Sequence, residues 1–477
     1  QCHYLGCLRE VARRVQEQTH VMGFDSLNEP SRGWIGLDIN DNRTADKAER
    51  MPGPAIAPID GLLMAQGRTV TVPEVKLSYL RLGLVPSGTR VLNANRVTIW
   101  HSPERDPFLQ RGAYSLEANG AYRVHMPDLF QKKSDGSPLD FDSDCMRVLF
   151  ERVARVMRMH NKDWMLFAEK EPHATLLNPE LPPAPEQTVN AGHWYDVTVL
   201  FLKKFPYPFG FDGISGKPAL GANGIRKSYI RQLSAFQQAS VKQQQPALLG
   251  EFGIPFDLDN GRAYKAAAHK QKDGRAWRKH SRALGLMYDA IDHHLLHSTL
   301  WNYTASNRND ARIGDGWNQE DLSIYSADQK HGVFGSNAGV SFHPDNGGRA
   351  LSGFVRPYVR RAQGTLLSMQ YNSKKRTFEA EIAVRTNTDG HPTEIFVPAQ
   401  VYKNSYRYQV WLPVGYAYTA VCRSLSLQPH DVEALLLIYV TTDGKHGAAT
   451  TDTDDAIDAD DQHATDRRMQ ILIRPEK

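Results

Sequence analysis

Apolar residues recur at three- and four-residue spacing over residues 5–18, where Leu5, Leu8, Val11, Ala12 and Val15 share a face; the pattern predicts an amphipathic helix. A short apolar run, Val21 to Phe24, follows and leads through Asp25-Ser26-Leu27-Asn28 to Glu29-Pro30. It reads as a buried parallel strand that stops at a proline. The helical period returns at 143–160, with Met146, Leu149, Val153 and Met157 on one face, and a strand is expected at 164–168. Another strand is expected at 192–196, after the loop Pro182-Pro183-Ala184-Pro185. Helix 223–240 precedes a strand at 247–252, and helix 281–296 precedes a strand at 298–303. Strands alternating with helices indicate βα units and a parallel sheet.

Two stretches break this rhythm. Residues 40–140 are rich in Pro, Gly and polar residues, with short strand-like pieces at 70–72 and 96–100. They are expected to form a decorated insertion without a core of its own. From about residue 350 the chain turns to short β-branched and aromatic segments, at 378–384, 393–397, 406–412, 433–440 and 469–473. Gly, Asn and Pro separate them, which predicts an antiparallel β-sandwich. Thr441 to Asp466, rich in Asp, Thr and Ala, reads as a disordered acidic loop. The expected division is therefore 1–345 for the βα part with its insertion and 346–477 for the sandwich.

Composition narrows the function classes. A net charge of +4, from 57 basic and 53 acidic residues scattered along the chain, gives no electrostatic footprint for nucleic acid. No apolar run reaches the roughly 18–20 residues of a membrane span. Four cysteines without a CxxC pair argue against a zinc cluster and suit a reducing compartment. The piece His293 to His297 reads as helical, with His293 and His297 on a shared i, i+4 face, but no third ligand lies nearby, so neither metal nor other cofactor is expected. No signal-peptide pattern opens the sequence. The expected location is cytoplasmic or vacuolar, with peripheral contact as the mode of any membrane association.

The candidate chemistry lies in two carboxylates. Glycosidic cleavage needs one carboxyl group to protonate the leaving oxygen and another, ionised, to attack the anomeric carbon. In a βα barrel such groups belong at the C-terminal ends of strands. Glu29 follows the Phe24–Leu27 run and Glu251 closes Ala247–Gly250, about three βα units apart.

The segments Gly23-Phe24-Asp25-Ser26-Leu27-Asn28-Glu29-Pro30, Gly250-Glu251-Phe252-Gly253, Trp301-Asn302-Tyr303-Thr304 and Gly316 to Ser323 carry a resemblance to glycoside hydrolase family 5. They look like its fungal endoglycoceramidase-related branch, whose members hydrolyse glucosylceramides or steryl β-glucosides. The resemblance implies a (β/α)8 TIM barrel followed by a C-terminal β-sandwich, with Glu29 as acid/base and Glu251 as nucleophile of a retaining mechanism. Asn28 would bind the sugar 2-hydroxyl, and His193 and Tyr195 would sit beside the nucleophile. Trp301 would face the sugar ring, and Asn318 and Glu320 would bind its hydroxyls. Five barrel strands can be counted, so the family's first three would precede Gln1. The expected substrate is a glycolipid β-glucoside. The alternatives are a soluble glycan or an inactive glycolipid-binding fragment.

Overall fold

The computed structural model describes residues 2–42, 53–78, 83–172, 177–212, 214–268, 274–316, 320–329, 347–385, 390–402, 405–425, 434–442 and 468–476. Its contacts fall into two units, residues 1–171 with 181–188, and residues 172–180 with 189–477.

In the first unit the expected opening helix runs from Cys2 to Val15. Leu5, Leu8, Ala12 and Val15 turn inward, whereas Val11 is half exposed. The helix packs on a second, Arg147–Arg158, whose Leu149, Phe150, Val153 and Met157 are buried. Two parallel strands accompany these helices, β1 (Gly23–Asp25) and, later in the chain, β7 (Met165–Ala168), paired Gly23 to Met165 and Asp25 to Phe167. Trp164 and Leu166 fill the cluster beneath them.

The insertion departs from expectation. It has its own apolar core, made by Ile39, Ile59, Leu62, Leu63, Val70, Val72 and Tyr114. Around that core stand β2 (Gly53–Pro54), the helix Pro58–Ala65, β3 (Val70–Ser78), β4 (Gly83–Leu92), β5 (Tyr114–Leu116) and β6 (Tyr122–Val124). Residues 96–100, expected as a strand, form a turn with one isolated bridge, Gln66 to Thr98. The apolar residues are thinly spread in sequence and meet only through long-range pairing, so no local period announces the core. Asp106 ties it together. Fully buried, it caps the short helix Pro107–Gln110 and accepts hydrogen bonds from Tyr114 Oη (2.7 Å) and Gln66 Nε2 (2.9 Å).

In the second unit β8 (Thr188–Asn190) replaces the strand expected at 192–196, and its Asn190 bridges in parallel to Ala247. Next come the hairpin β9 (Phe209–Phe211) and β10 (Pro218–Leu220), the helix Gly221–Lys242, β11 (Leu248–Phe252), the helix Arg278–His293 and β12 (His297–Leu300). β11 and β12 pair in parallel. The Gly221–Lys242 helix buries Ile225, Tyr229, Leu233 and Phe236 in a cluster that also holds Leu249, Phe252, Leu284 and Met287. His293 ends its helix and His297 begins β12, so the two do not share a helical face.

The C-terminal part contains two four-stranded antiparallel sheets. The first has the order β13 (Tyr358–Arg361), β16 (Thr393–Val397), β19 (Ala434–Thr442), β18 (Tyr416–Ser424). The second has the order β14 (Gly364–Asn372), β15 (Thr377–Val384), β20 (Arg468–Pro475), β17 (Tyr406–Trp411). Both contribute to one core, including Phe378, Ile382, Ile395, Leu436, Ile438 and Ile471. The strands absent from the sequence reading, β13, β14 and β18, all lie at sheet edges, where half-solvated side chains weaken the period-two signal. Nearly all of the acidic stretch 441–466 lies outside the described residues.

Candidate active site

Each unit carries part of the candidate chemistry. In the first, β1 ends in a sharp turn. Ser26 is fully buried, its N–H donates to Phe167 O (2.8 Å), and its carbonyl accepts the Tyr4 hydroxyl (2.6 Å). Asp25 Oδ1 accepts the Leu27 N–H at 2.9 Å, an Asx turn that swings the chain outward. Asn28 is exposed, and Glu29 sits in the left-handed region at φ 43°. That conformation is uncommon for a side-chain-bearing residue and is held by a specific contact, since the Glu29 N–H donates to Glu169 Oε2 at 2.8 Å. Glu169, directly after β7, is 3% exposed, and its own N–H donates to Ser26 Oγ (3.2 Å). Burial, then the negative charges of Asp25 and Glu169, push the Tyr4 hydroxyl pKa up. Glu169 is absent from the sequence reading. The signal that finds it is the one used for Glu29 and Glu251, a carboxylate at the C-terminal end of a predicted strand.

In the second unit the chain after β8 runs alongside β11. Gly250 N donates to Gly192 O (3.0 Å), His193 bridges in parallel to Glu251, and Trp194 N donates to Glu251 O (2.9 Å). This register sets three side chains together. The Tyr195 hydroxyl donates to Glu251 Oε2 at 2.8 Å, and His193 Nδ1 stands 3.4 Å from the same oxygen. The Glu251 side chain is 15% exposed and His193 3%. A phenolic donor on a carboxylate favours its ionised form, the form a nucleophile needs.

Close approach explains the glycines on either side. A Cβ on Gly250 would come within 2.6 Å of Ala191 O, and one on Gly253 within 2.4 Å of Trp301 O. Trp301, next to β12, is half-buried and donates its N–H to Phe252 O at 2.9 Å; its peptide bond to Asn302 is cis. Asn302 Nδ2 donates to Asp315 Oδ2 (2.9 Å), and Asp315 N donates to the Glu320 carbonyl (2.6 Å). Of the predicted residues, His193, Tyr195 and Glu251 are in direct contact, with Trp301 one strand away. Glu320 is half-buried. Asn318 lies outside the described residues.

Below this trio lies a polar network with no sequence signal. Trp194 Nε1 donates to Gln232 Oε1 (2.9 Å), and Gln232 Nε2 donates to Asp212 Oδ1 (3.1 Å). Burial pushes the Asp212 carboxyl up, but hydrogen bonds from Ser228 and from the Ser215 and Ile214 N–H groups hold it down at about 2. Asp196 caps the helix Val197–Leu202 and accepts the Tyr229 hydroxyl at 2.6 Å. Burial raises its pKa, against those bonds. The segment 194–196 is thus pinned on both sides, which orients Tyr195.

The chain as a whole is similar to known proteins. Residues 356–435 match the family described as the glycoside hydrolase family 5 C-terminal domain. The chain is 26% identical over 428 residues to a glucosylceramidase of Rhizopus delemar, covering 84% of this chain and 59% of that protein. It is 24% identical over 475 residues to an ergosteryl-beta-glucosidase of Saccharomyces cerevisiae, covering 82% and 60%. A crystal structure of Cryptococcus neoformans sterylglucosidase 1 superposes with a TM-score of 0.72 at 20% identity, over 100% of this chain and 67% of that one. The chain is therefore similar to a fungal glucosylceramidase and an ergosteryl-β-glucosidase, shares the fold of the sterylglucosidase structure, carries a match to the family 5 C-terminal domain, and spans about 60% of the length of these curated relatives.

Proposed function

We propose that this chain is the catalytic part of a retaining glycosidase that cleaves the β-glucosidic bond of a glycolipid, glucosylceramide or a steryl β-glucoside. The observation that carries the reading is the contact of Tyr195 and His193 with one oxygen of Glu251, at 2.8 and 3.4 Å. It is the environment of a carboxylate kept ionised for attack. Glu29, at the end of a parallel strand and held in place by Glu169, is the acid/base. Asn28 reads the sugar 2-hydroxyl, Trp301 faces the ring, and Asn318 and Glu320 bind its outer hydroxyls. The parallel strands β1, β7, β8, β11 and β12 are read as part of a (β/α)8 barrel. The location is cytoplasmic or vacuolar, with peripheral membrane contact.

Attack by Glu251 on the anomeric carbon forms a glycosyl-enzyme while Glu29 protonates the leaving oxygen. Glu29 then deprotonates the water that releases glucose. A retaining mechanism requires the two carboxyl groups to lie about 5–5.5 Å apart. The deciding experiment is incubation with a mechanism-based 2-fluoroglucoside followed by peptide mass spectrometry. Label on Glu251 is expected, and label on another residue, with Glu251 unmodified, overturns the assignment. A panel of glucosylceramide, steryl glucoside and cellobiose separates glycolipid from soluble substrates, with turnover of the first two expected.

A further inference from the structure

The β9–β10 hairpin inverts the usual arrangement of a surface strand pair. Its register sets Phe209 opposite Leu220, Gly210 opposite Ala219 and Phe211 opposite Pro218. Gly210 and Ala219 point inward, where Ile225 packs. The outward face is therefore Phe209, Phe211, Pro218 and Leu220, without one polar side chain. Phe209 is 76% exposed, Leu220 62% and Phe211 40%. Phe201, on the preceding helix, is 60% exposed. An outward-facing strand ordinarily alternates to polar residues, and a contiguous apolar patch of this kind marks an interaction surface.

The segment that carries the patch is rich in basic residues; Asp257 and Asp259, from a later segment, meet it at Lys203. Segment 197–231 contains six basic residues and a single acidic one, Asp212. Asp212 is 3% exposed and is occupied by Ser228, Gln232 and Arg231. Lys204, Lys217 and Lys227 are exposed. Solvent thus meets aromatic and aliphatic side chains flanked by cations.

We propose that this hairpin docks the protein on an anionic lipid surface, with Phe209, Phe211 and Leu220 entering the headgroup–acyl boundary and Lys204, Lys217 and Lys227 meeting lipid headgroups. Aromatic insertion together with juxtaposed lysines is the chemistry of interfacial membrane binding. A second copy of this chain is a poorer occupant, because a two-fold contact would set the lysines against each other. The proposal deepens the reading above and rests on its lipid-linked substrate. The hairpin begins fourteen residues after Tyr195 and so belongs to the loop that leaves the candidate site.

The test is co-sedimentation of the full 477-residue chain with vesicles of phosphatidylcholine alone or with about one third phosphatidylserine, free of any glucoside. Binding to the anionic vesicles is expected, roughly tenfold or more above the neutral ones. F209S/L220S should lower it by a similar factor, and K204E/K217E/K227E should abolish the anionic preference. All these positions are exposed, and near-ultraviolet circular dichroism checks that the variants keep wild-type packing. No vesicle binding by the wild type, or equal binding by wild type and both variants, overturns the proposal. So does a dimer that F209S/L220S converts to a monomer while vesicle binding is nil, which would assign the face to a second copy. A chain that hydrolyses a soluble aryl glucoside but ignores vesicles sinks this proposal alone. One that binds vesicles as expected, but leaves Glu251 unlabelled, supports the docking face and sinks the glycosidase reading alone.

Discussion

Glu251, the Tyr195 hydroxyl that donates to it and the His193 ring beside it form the smallest unit with a chemical role. Removing the Tyr195 hydroxyl leaves the ring in place but deletes a hydrogen bond to a charged group. Such bonds are worth roughly 1.5–3 kcal/mol, so Y195F should lower kcat/KM on an aryl glucoside by about 10- to 150-fold. A loss under about twofold would show that the hydroxyl does not serve the carboxylate. The two glutamates should separate by substrate. Glu251→Gln should abolish turnover of every glucoside, because no glycosyl-enzyme can form. Glu29→Gln should be severe on a steryl glucoside, whose alkoxide leaves poorly without a proton, and mild in the first step on an activated aryl glucoside. With the aryl substrate the glycosyl-enzyme should then accumulate, and azide, which needs no base, should restore turnover as β-glucosyl azide. Equal losses on both substrates and no effect of azide would place the acid/base elsewhere.

The elements around these residues are held by close backbone approach. β11 passes under Gly192 on one side and Trp301 on the other, and Gly250 and Gly253 leave room where a Cβ would collide with carbonyl oxygens. Neither obstacle is a flexible side chain, so the backbone itself must move. G253A should cost about 1–3 kcal/mol in urea unfolding, the range for forced overpacking, and should displace Trp301. A stability within about 0.3 kcal/mol of wild type would contradict the approach described, since ordinary surface changes lie near that level. The insertion gives the complementary lesson. Leu62 and Leu63 fill its core, at 3% and 4% exposure, and so are not free to line a lipid site. Phe209, Phe211 and Leu220 of the β9–β10 hairpin are by contrast exposed.

For the whole molecule, two buried groups set opposing pH dependences. His280 is held down to about 3 by burial, against the Phe256 carbonyl that accepts from its ring at 3.1 Å. The folded state therefore holds it neutral while the unfolded chain protonates below about 6.5. Stability from this group is complete above pH 6.5 and is lost as pH falls, by about 2 kcal/mol between pH 6.5 and 5. Asp292 works the other way. Burial raises it to about 6 and outweighs the Arg356 guanidinium 2.8 Å away. It therefore favours the folded state increasingly as pH falls from above 6 toward its unfolded value near 4. In H280F only the second dependence remains, so its unfolding free energy relative to wild type should rise by about 2 kcal/mol on going from pH 7 to 5. Urea midpoints of the two proteins at both pH values measure this, and parallel changes would show that His280 is protonated in the folded state.

Local order along the chain was enough to indicate the βα alternation, most core strands of the C-terminal part and the positions of Glu29 and Glu251. Periodicity is a property of neighbouring residues, and a carboxylate ending an apolar run is visible without knowing what the run packs against. β15, with burial alternating along Thr377–Val384, shows how directly a half-buried strand writes itself into sequence. Tertiary structure alone decided the rest. Tyr195 and Glu251 stand 56 residues apart, and only the pairing of His193 with Glu251 makes them neighbours. Glu169 reaches Glu29 across 140 residues because β1 and β7 run side by side. The insertion core is assembled over some 75 residues from a helix and several strands that meet only through long-range pairing. The outward face of the β9–β10 hairpin follows the same rule. Alternation in Phe-Gly-Phe and Pro-Ala-Leu says that two faces differ, but only the packing of Ile225 beneath Gly210 determines that the large apolar side chains are the ones left in solvent.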